Sequence, residues 1–507
     1  MIFIAFLLLF ALFCVLSVKC KLYELEYNPL NKAHNALIFV CAGVGLVISC
    51  VIFYLLFKEN IAYPFEKGVT GYNAYEQLFD ALMKKQLYID YKPSAELMAM
   101  ENPYDADLRT ELGISYLWDR AFFDGRFYSY FGIAPIILIY FPFYFITHSI
   151  PSAHTVCFIM SAVSVPVITA LTVKVQTAFM KKVNLPLLLM SILAVQAGSL
   201  VFMVQSSADM YYTAVQSGIL FLALFLLFSV CAYSAQGVSK KCVYFALSGV
   251  SLAFLAMSRP NLLVYFLLAV PIYLNTLFDK SFTPGKKLAQ VMSFAVPAAL
   301  GAAFVMWYNF ARFGSVTDFG ANYQMTVHDV GEYSFAFSLF IPSLYYYFIE
   351  LPGFTADFPY LEIDFVNVAR SFGYNGYIYL TSTVGAMSFP AVLGCATAPS
   401  VLWGEKNRVK QGFVWLAIFT SVFLAFFDTC FAGVNIRYLA DIMLVVILLS
   451  SFLLCDFTQN VLSGRAAKAT GFIISSALLI LSFAVGLLLI FNNERDYILK
   501  LFLEGNG

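Results

Sequence analysis

Apolar stretches of about twenty residues recur along this chain, separated by short polar breaks and interrupted by two long polar segments. A helix needs roughly 20 apolar residues to cross a bilayer. Stretches of that kind lie at 2–18, 36–57, 131–149, 153–173, 185–204, 212–234, 242–258, 262–278, 288–310, 376–402, 412–431, 437–455 and 470–491. The pattern predicts an all-α, polytopic transmembrane helix bundle of about 13 helices. A transmembrane barrel would show shorter strands of alternating polarity. Residues 1–507 read as a single transmembrane domain, with no soluble domain, repeat or low-complexity linker.

Lysine and arginine orient such a bundle, because short cytoplasmic loops collect them. Basic breaks occur at Lys19/Lys21/Lys32, Lys174/Lys181/Lys182, Lys240/Lys241, Lys280/Lys286/Lys287, Lys406/Arg408/Lys410 and Arg465/Lys468. With these in the cytoplasm, 58–130 becomes a first external loop, 311–375 a second, and the C-terminal tail is external too. One conflict arises. If 131–149 and 153–173 both cross, Lys174–Lys182 ends on the wrong side. Pro135, Pro142 and Pro151 mark 131–149 as the segment expected to be re-entrant or interfacial.

Two short helices are expected in the external loops. Over 73–89, Tyr75, Leu78, Phe79, Leu82 and Leu87 recur at helical spacing with Lys84 and Lys85 opposite, predicting an amphipathic helix on the outer leaflet. The apolar run 334–350, broken by Pro342, predicts a second interfacial or partly inserted helix. Segment 2–18 lacks a basic n-region and a small-residue cleavage pattern, and is expected to be a retained helix.

Composition sharpens the membrane assignment and removes other classes. The 507 residues are 61% hydrophobic and only 12% charged, against about 25% charged in soluble domains. Thirty Lys and Arg balance thirty Asp and Glu, so charge makes no case for nucleic acid. The 53 Phe and 32 Tyr suit lipid-facing surfaces and interfacial belts. Nearly all ten cysteines lie in apolar runs, as small core residues do. The four histidines are scattered, with no cluster at metal-ligand spacing, so neither a metal nor another cofactor is expected.

Charges beside apolar helices are costly, about 2.5 to 3.5 kcal/mol for Arg, Lys or Asp at a helix centre, so each needs a partner or a task. Four clusters stand out. The first is "NPYDAD" with "WDRAFFDGRFYSYFG", holding Asp105, Asp107, Asp119, Arg120, Asp124, Arg126, Tyr128 and Tyr130. A carboxylate here can take a proton from a hydroxyl, arginines can grip a phosphate, and tyrosines can stack on a sugar. Taken singly, each residue also fits an interfacial belt of aromatics and solvated charges; the cluster as a whole reads as a site. "DAD" has the shape of a metal-dependent nucleotide-sugar motif, but no divalent ion is expected at an external site. The second cluster is "SRPN", with Arg259 and Asn261, equally a short turn or a lipid-phosphate contact. The third is "WYNFARFGSVTDFGANYQ", with Asn309, Arg312, Asp318 and Tyr323. The fourth is "NIRYLAD", with Arg437, Tyr438 and Asp441, where an Arg437–Asp441 pair at i,i+4 is the structural alternative. Arg126, Arg259, Arg312 and Arg437 all fall toward the external side, which points to an external anionic ligand.

These stretches, with "AYEQLFDAL" and "YLWDRAFFDGRFYSYFGIAPIILIYFPF", resemble the GT-C superfamily of polytopic glycosyltransferases, in particular glycosyltransferase-39-like bacterial members. The resemblance extends over nearly the whole chain. It implies a polyprenyl-phosphate-linked sugar as donor, held among membrane lipids, and a glycan, lipid or protein acceptor entering from outside. It also implies transfer with inversion, a multi-pass location in a bacterial plasma or inner membrane, and a loop-one aspartate as base. The family's acidic position falls at "VTGYNAYEQ", where no aspartate stands and Glu76 is the nearest acid. Asp119 is therefore the first candidate for the base and Asp105 the second. Arg126, Arg259, Arg312 and Arg437 are candidates for the donor phosphate, and Tyr128, Tyr130, Asn309, Tyr323 and Tyr438 for substrate contacts. A flippase for a lipid-linked glycan and a non-catalytic partner in glycan assembly are the alternatives.

Overall fold

The computed structural model describes residues 2–57, 61–65, 68–326, 329–332, 335–350, 353–354, 360–362, 365–366, 380–381 and 384–491. Among them, ten helices are long and apolar enough to cross a membrane: α1 Lys32–Leu56, α2 Ala153–Phe179, α3 Leu185–Ser206, α4 Met210–Ser234, α5 Val238–Ser258, α6 Pro260–Phe278, α7 Pro284–Phe313, α8 Arg408–Ala432, α9 Ile436–Val461 and α10 Arg465–Phe491. The chain is an all-α, multi-pass membrane protein. The difference from thirteen lies in three stretches. Residues 2–18 form a helix, Ile2–Lys19, outside these ten. From 376–402, the helices Val384–Cys395 and Ala398–Leu402 are described.

Segment 131–149 is not among the ten. Its helical part, Ile136–Thr147, measures roughly 18 Å at 1.5 Å per residue, too short for a hydrocarbon core of about 30 Å. It begins as a π-turn after Pro135 and stops at His148, which adopts a left-handed φ of 55°. Residues 61–151 contribute four short strands: β1 Ala62–Pro64, β2 Ala121–Phe123, β3 Arg126–Tyr128 and β4 Ser149–Pro151. β4 pairs with β1, so the start of the first loop is tied to the residues that follow 136–147. With 131–149 turned back, Lys174–Lys182 can sit with the other basic breaks, and the conflict disappears.

Contacts between the breaks place them at one end. Lys182 pairs with Glu26, Arg465 approaches Glu24, Asn460 Nδ2 donates to the Lys182 carbonyl at 3.2 Å, and Asn407 Nδ2 donates to the Tyr233 phenol at 3.1 Å. The opposite end carries the first loop and the residues discussed below.

Helix α9 forms the centre and is buried along almost its whole length, while α1 and α7 expose most of theirs. In lipid no hydrophobic force favours helix association, so small residues and hydroxyl hydrogen bonds do the holding. Ser217 and Ser258 approach at 2.6 Å, Ser229 and Ser248 at 2.8 Å, and Ser49 Oγ donates to Gln205 Oε1 at 2.7 Å. Helices α5 and α7 cross at glycines. A Cβ on Gly301 would lie 2.1 Å from the Ala253 Cβ, and one on Gly249 would lie 2.4 Å from the Phe294 carbonyl oxygen.

The helix expected over 73–89 forms as Ala74–Met83, but it is enclosed rather than laid on a surface. Tyr75 and Phe79 pack on Tyr140, and every residue from Ala74 to Ala81 is buried. The apolar spacing was read as a lipid contact; the partner is the turned-back segment 136–147 of the same chain. In the second loop, Phe340–Phe348 is helical and includes Pro342.

Candidate functional site

At the end opposite the basic breaks, seven pieces of chain surround a cavity of about 580 Å³. They are the end of the first loop, the starts of α4 and α9, the α5–α6 junction, the ends of α7 and α8, and the stretch 319–326 of the second loop. Of the residues singled out in the sequence, Asp119, Tyr130, Arg259, Asn261, Asn309, Arg312, Arg437 and Tyr438 line it.

Asp119 enters on a built support. Asp124 and Gly125, at φ 48° and 69°, make a two-residue turn between β2 and β3, the conformation for which Asp-Gly is favoured. This hairpin was legible in "FFDGRF" but not anticipated. Just before it, the Asp119 amide donates to the Met325 carbonyl at 2.9 Å, and the Met325 amide donates to the Arg120 carbonyl at 2.9 Å. The clamp holds Asp119 at a left-handed φ of 55°, a conformation uncommon outside Gly, Asn and Asp. The Arg120 side chain turns away and donates through Nε to Gln77 Oε1 at 2.6 Å. Burial lowers the Arg120 pKa, against the opposing effect of the Asp119 charge.

Only 6% of Asp119 is exposed. The Tyr130 phenol donates to its Oδ1 at 3.1 Å, and Tyr211, at the start of α4, lines the same cavity. Burial, and then the Asp119 charge, push the Tyr130 phenol well above its ordinary range, so it stays a donor. Gly132 lets this strand reach the bundle. A Cβ there would lie 2.2 Å from the Met257 carbonyl oxygen and 2.4 Å from that of Ser258.

The four arginines part company. Arg259 lines the cavity but forms an ion pair with the buried Asp441, which also accepts from Asn261 Nδ2 at 3.0 Å. Arg312 lines it but is held on protein oxygens: Nη1 donates to the Ser129 carbonyl at 2.8 Å and Nη2 to Asn309 Oδ1 at 3.0 Å, with the guanidinium 3.7 Å from the Tyr308 ring centre. Arg126 lies outside the cavity, exposed over the Tyr88 ring at 4.5 Å. Arg437 has no carboxylate partner among the described residues. Its guanidinium rests 4.5 Å from the Tyr211 ring centre and 5.1 Å from that of Tyr438, whose phenol accepts from Nη2 at 3.3 Å. The Arg437–Asp441 pair weighed from the i,i+4 spacing is replaced by Arg259–Asp441, because α6 brings a cation to the Asp441 side of α9.

Several sequence candidates lie elsewhere for clear reasons. Asp105 caps the helix Ala106–Glu111, accepting from the Leu108 amide at 2.9 Å. Glu76 completes a capping box with Asn73, accepting from its amide at 3.0 Å and its Nδ2 at 2.9 Å. Both carboxylates are occupied by helix termini. Tyr128 packs on Phe313 at 5.4 Å between ring centres, and Tyr323 on Phe123 at 4.7 Å. The cavity residues that the sequence reading does not reach include Trp118, Tyr211 and Asp428. Tyr211 stands in "SADMYY", a polar break between two spans of the same kind as "SRPN". Asp428 is an acid inside the apolar run "AFFDTCF". Among the described residues, no three acidic, histidine or cysteine groups gather as metal ligands would.

No family model matches the chain, and no curated protein matches it. Among solved structures, it is similar to the archaeal oligosaccharyltransferase AglB from Archaeoglobus fulgidus in complex with an inhibitory peptide and a dolichol-phosphate. The alignment covers 90% of this chain and 56% of that one, at 13% identity and a TM-score of 0.39. This chain thus spans little more than half the length of that protein.

Proposed function

We propose that this chain is a membrane glycosyltransferase that takes a sugar from a polyprenyl-phosphate carrier and passes it to a hydroxyl of an acceptor. One observation carries the reading: a single cavity at one end of the bundle joins a buried carboxylate, Asp119, to a guanidinium with no acidic partner among the described residues, Arg437. By the positive-inside rule the basic end is cytoplasmic, so the cavity belongs to the external face. A charge kept unpaired this close to the membrane is costly unless a ligand supplies the counter-charge. A lipid phosphate reaching in from the bilayer does so, and guanidinium suits it.

The chemistry follows from the two groups. Asp119 accepts the proton of the acceptor hydroxyl as its oxygen bonds to the anomeric carbon. The bond from that carbon to the phosphate oxygen breaks, and its electron pair leaves with the phosphate, stabilised by Arg437. Attack opposite the leaving group inverts the anomeric centre. Tyr130 orients the carboxylate, while Asn309 and Tyr438 offer polar contacts to the sugar.

The test is sugar transfer from a radiolabelled polyprenyl-phosphate sugar by the purified chain in lipid vesicles. Asp119→Asn is the informative variant, since Asn tolerates the left-handed backbone. We expect a 10²- to 10⁴-fold loss of kcat with unchanged binding of polyprenyl phosphate. Full activity in that variant overturns the assignment of the base. Transport of the intact lipid without transfer would replace the enzyme reading with a flippase.

A further inference from the structure

The cavity holds a second buried carboxylate that the reaction above does not use. Asp428 stands one turn before the end of α8, inside an apolar run, and lines the cavity while only 4% exposed. Its Oδ2 is buried with no hydrogen-bond partner, and the residue forms no ion pair among the described residues. The arginines of the cavity wall do not answer it. Arg259 pairs with Asp441, and Asn261 Nδ2 donates to that same Asp441 at 3.0 Å. Arg312 is held by the Ser129 carbonyl and Asn309, and Arg437 rests on the Tyr211 and Tyr438 rings. The neighbouring Thr429 turns its hydroxyl back to the Ala425 carbonyl at 2.7 Å. An acid inside an apolar helix is costly unless something brings hydrogen-bond donors to it.

We propose that Asp428 recognises the transferred sugar, accepting hydrogen bonds from its hydroxyls and so selecting which sugar is taken; this rests on the glycosyltransferase reading above. A glycosyl phosphate presents an anionic phosphate, an anomeric carbon and a ring that carries hydroxyl donors. Arg437 on α9 suits the first, and Asp119 on the first loop serves attack at the second. Neither accounts for the hydroxyls. An ionised carboxylate offers two oxygens that only accept, so Asp428 matches a ring rich in donors and repels the phosphate. Attraction at Arg437 and repulsion at Asp428 together give the ligand one direction in the cavity. A few placed polar groups in a largely apolar pocket fix orientation and specificity in this way. A sugar lacking the matching hydroxyl leaves a buried acceptor unpaired and is strongly disfavoured.

The test titrates the full chain, in detergent micelles, with bare polyprenyl phosphate and with polyprenyl phosphate carrying glucose, galactose, mannose, N-acetylglucosamine or arabinose. We expect at least one sugar to tighten binding relative to the bare lipid. Asp428→Ala should weaken binding of that sugar-bearing lipid roughly 10- to 100-fold, the range of a lost hydrogen bond to a charged group. The Kd for the bare lipid should stay within twofold, or tighten because a repelling charge is gone. Asp428→Asn keeps the shape and one accepting oxygen, and should lose less. No partner is orphaned, so the denaturation midpoint should hold in both variants. A residue that merely braced α8 would lower the midpoint and weaken both lipids alike, and that result overturns the proposal. Unchanged binding of the sugar-bearing lipid by Asp428→Ala overturns it too, as does an unaltered chain that binds every lipid of the panel no better than the bare one. Those outcomes leave phosphate binding at Arg437 intact. If the unaltered chain binds no polyprenyl phosphate, the reading it rests on fails first, and this inference with it.

Discussion

The two ends of the bundle use the same kinds of charge in opposite ways. At the basic end, Lys410 is 5% exposed and Asp456 2%. The ammonium lies 2.6 Å from Asp456 and 2.8 Å from Glu405, and Asn460 Nδ2 donates to Asp456 at 2.7 Å. Within this cluster each charge meets its complement, and the cluster braces α8 against α9. At the cavity end, Arg437 rests on two aromatic rings with no acid beside it among the described residues, while Asp119 is addressed by the Tyr130 phenol rather than by a cation. A buried pair closes on itself and holds structure. A cation and an acid kept apart in one cavity await something from outside.

That contrast can be broken by exchanging charge for bulk at each end. Lys410→Met strands two carboxylates, one of them fully buried, and should destabilise the fold by about 3–5 kcal/mol, read as a lowered denaturation midpoint in detergent. Transfer per folded molecule should be unchanged. Arg437→Met leaves no acid orphaned, so the midpoint should hold or rise, whereas binding of polyprenyl phosphate should weaken roughly 10- to 100-fold, as for a lost hydrogen bond to a charged group. If Arg437→Met destabilises as much as Lys410→Met, the two ends are alike and Arg437 is structural.

Smaller effects sharpen the boundary of the site. Gly132→Ala places a methyl against the Met257 and Ser258 carbonyls and must push the Asp119 strand outward. Transfer should fall more than tenfold, with helical content by circular dichroism unchanged. Asp105→Ala should cost about 1 kcal/mol, the worth of a helix cap, and leave kcat alone. A loss of kcat there would return Asp105 to the list of candidate bases.

Several features were already present in the order of residues. The apolar runs specify membrane helices because each must satisfy its own backbone inside lipid. Lysine placement gives an expected orientation, and the prolines in 131–149 mark a run whose helix is too short to span. The arginines and Asp119 were recognisable because polar residues near apolar helices demand a reason. What a linear reading could not decide is which charges are already answered. Glu76 and Asp105 look as reactive in sequence as Asp119, yet both are occupied by helix ends a few residues away. Arg259, Arg312 and Arg437 look alike, yet Asp441 neutralises the first, a backbone carbonyl and Asn309 hold the second, and packing leaves the third with no acid beside it among the described residues. Those partners lie up to 183 positions apart in the chain. Local patterns determine helices because the backbone bonds within four residues; an ion pair or a free charge is settled only when distant helices meet.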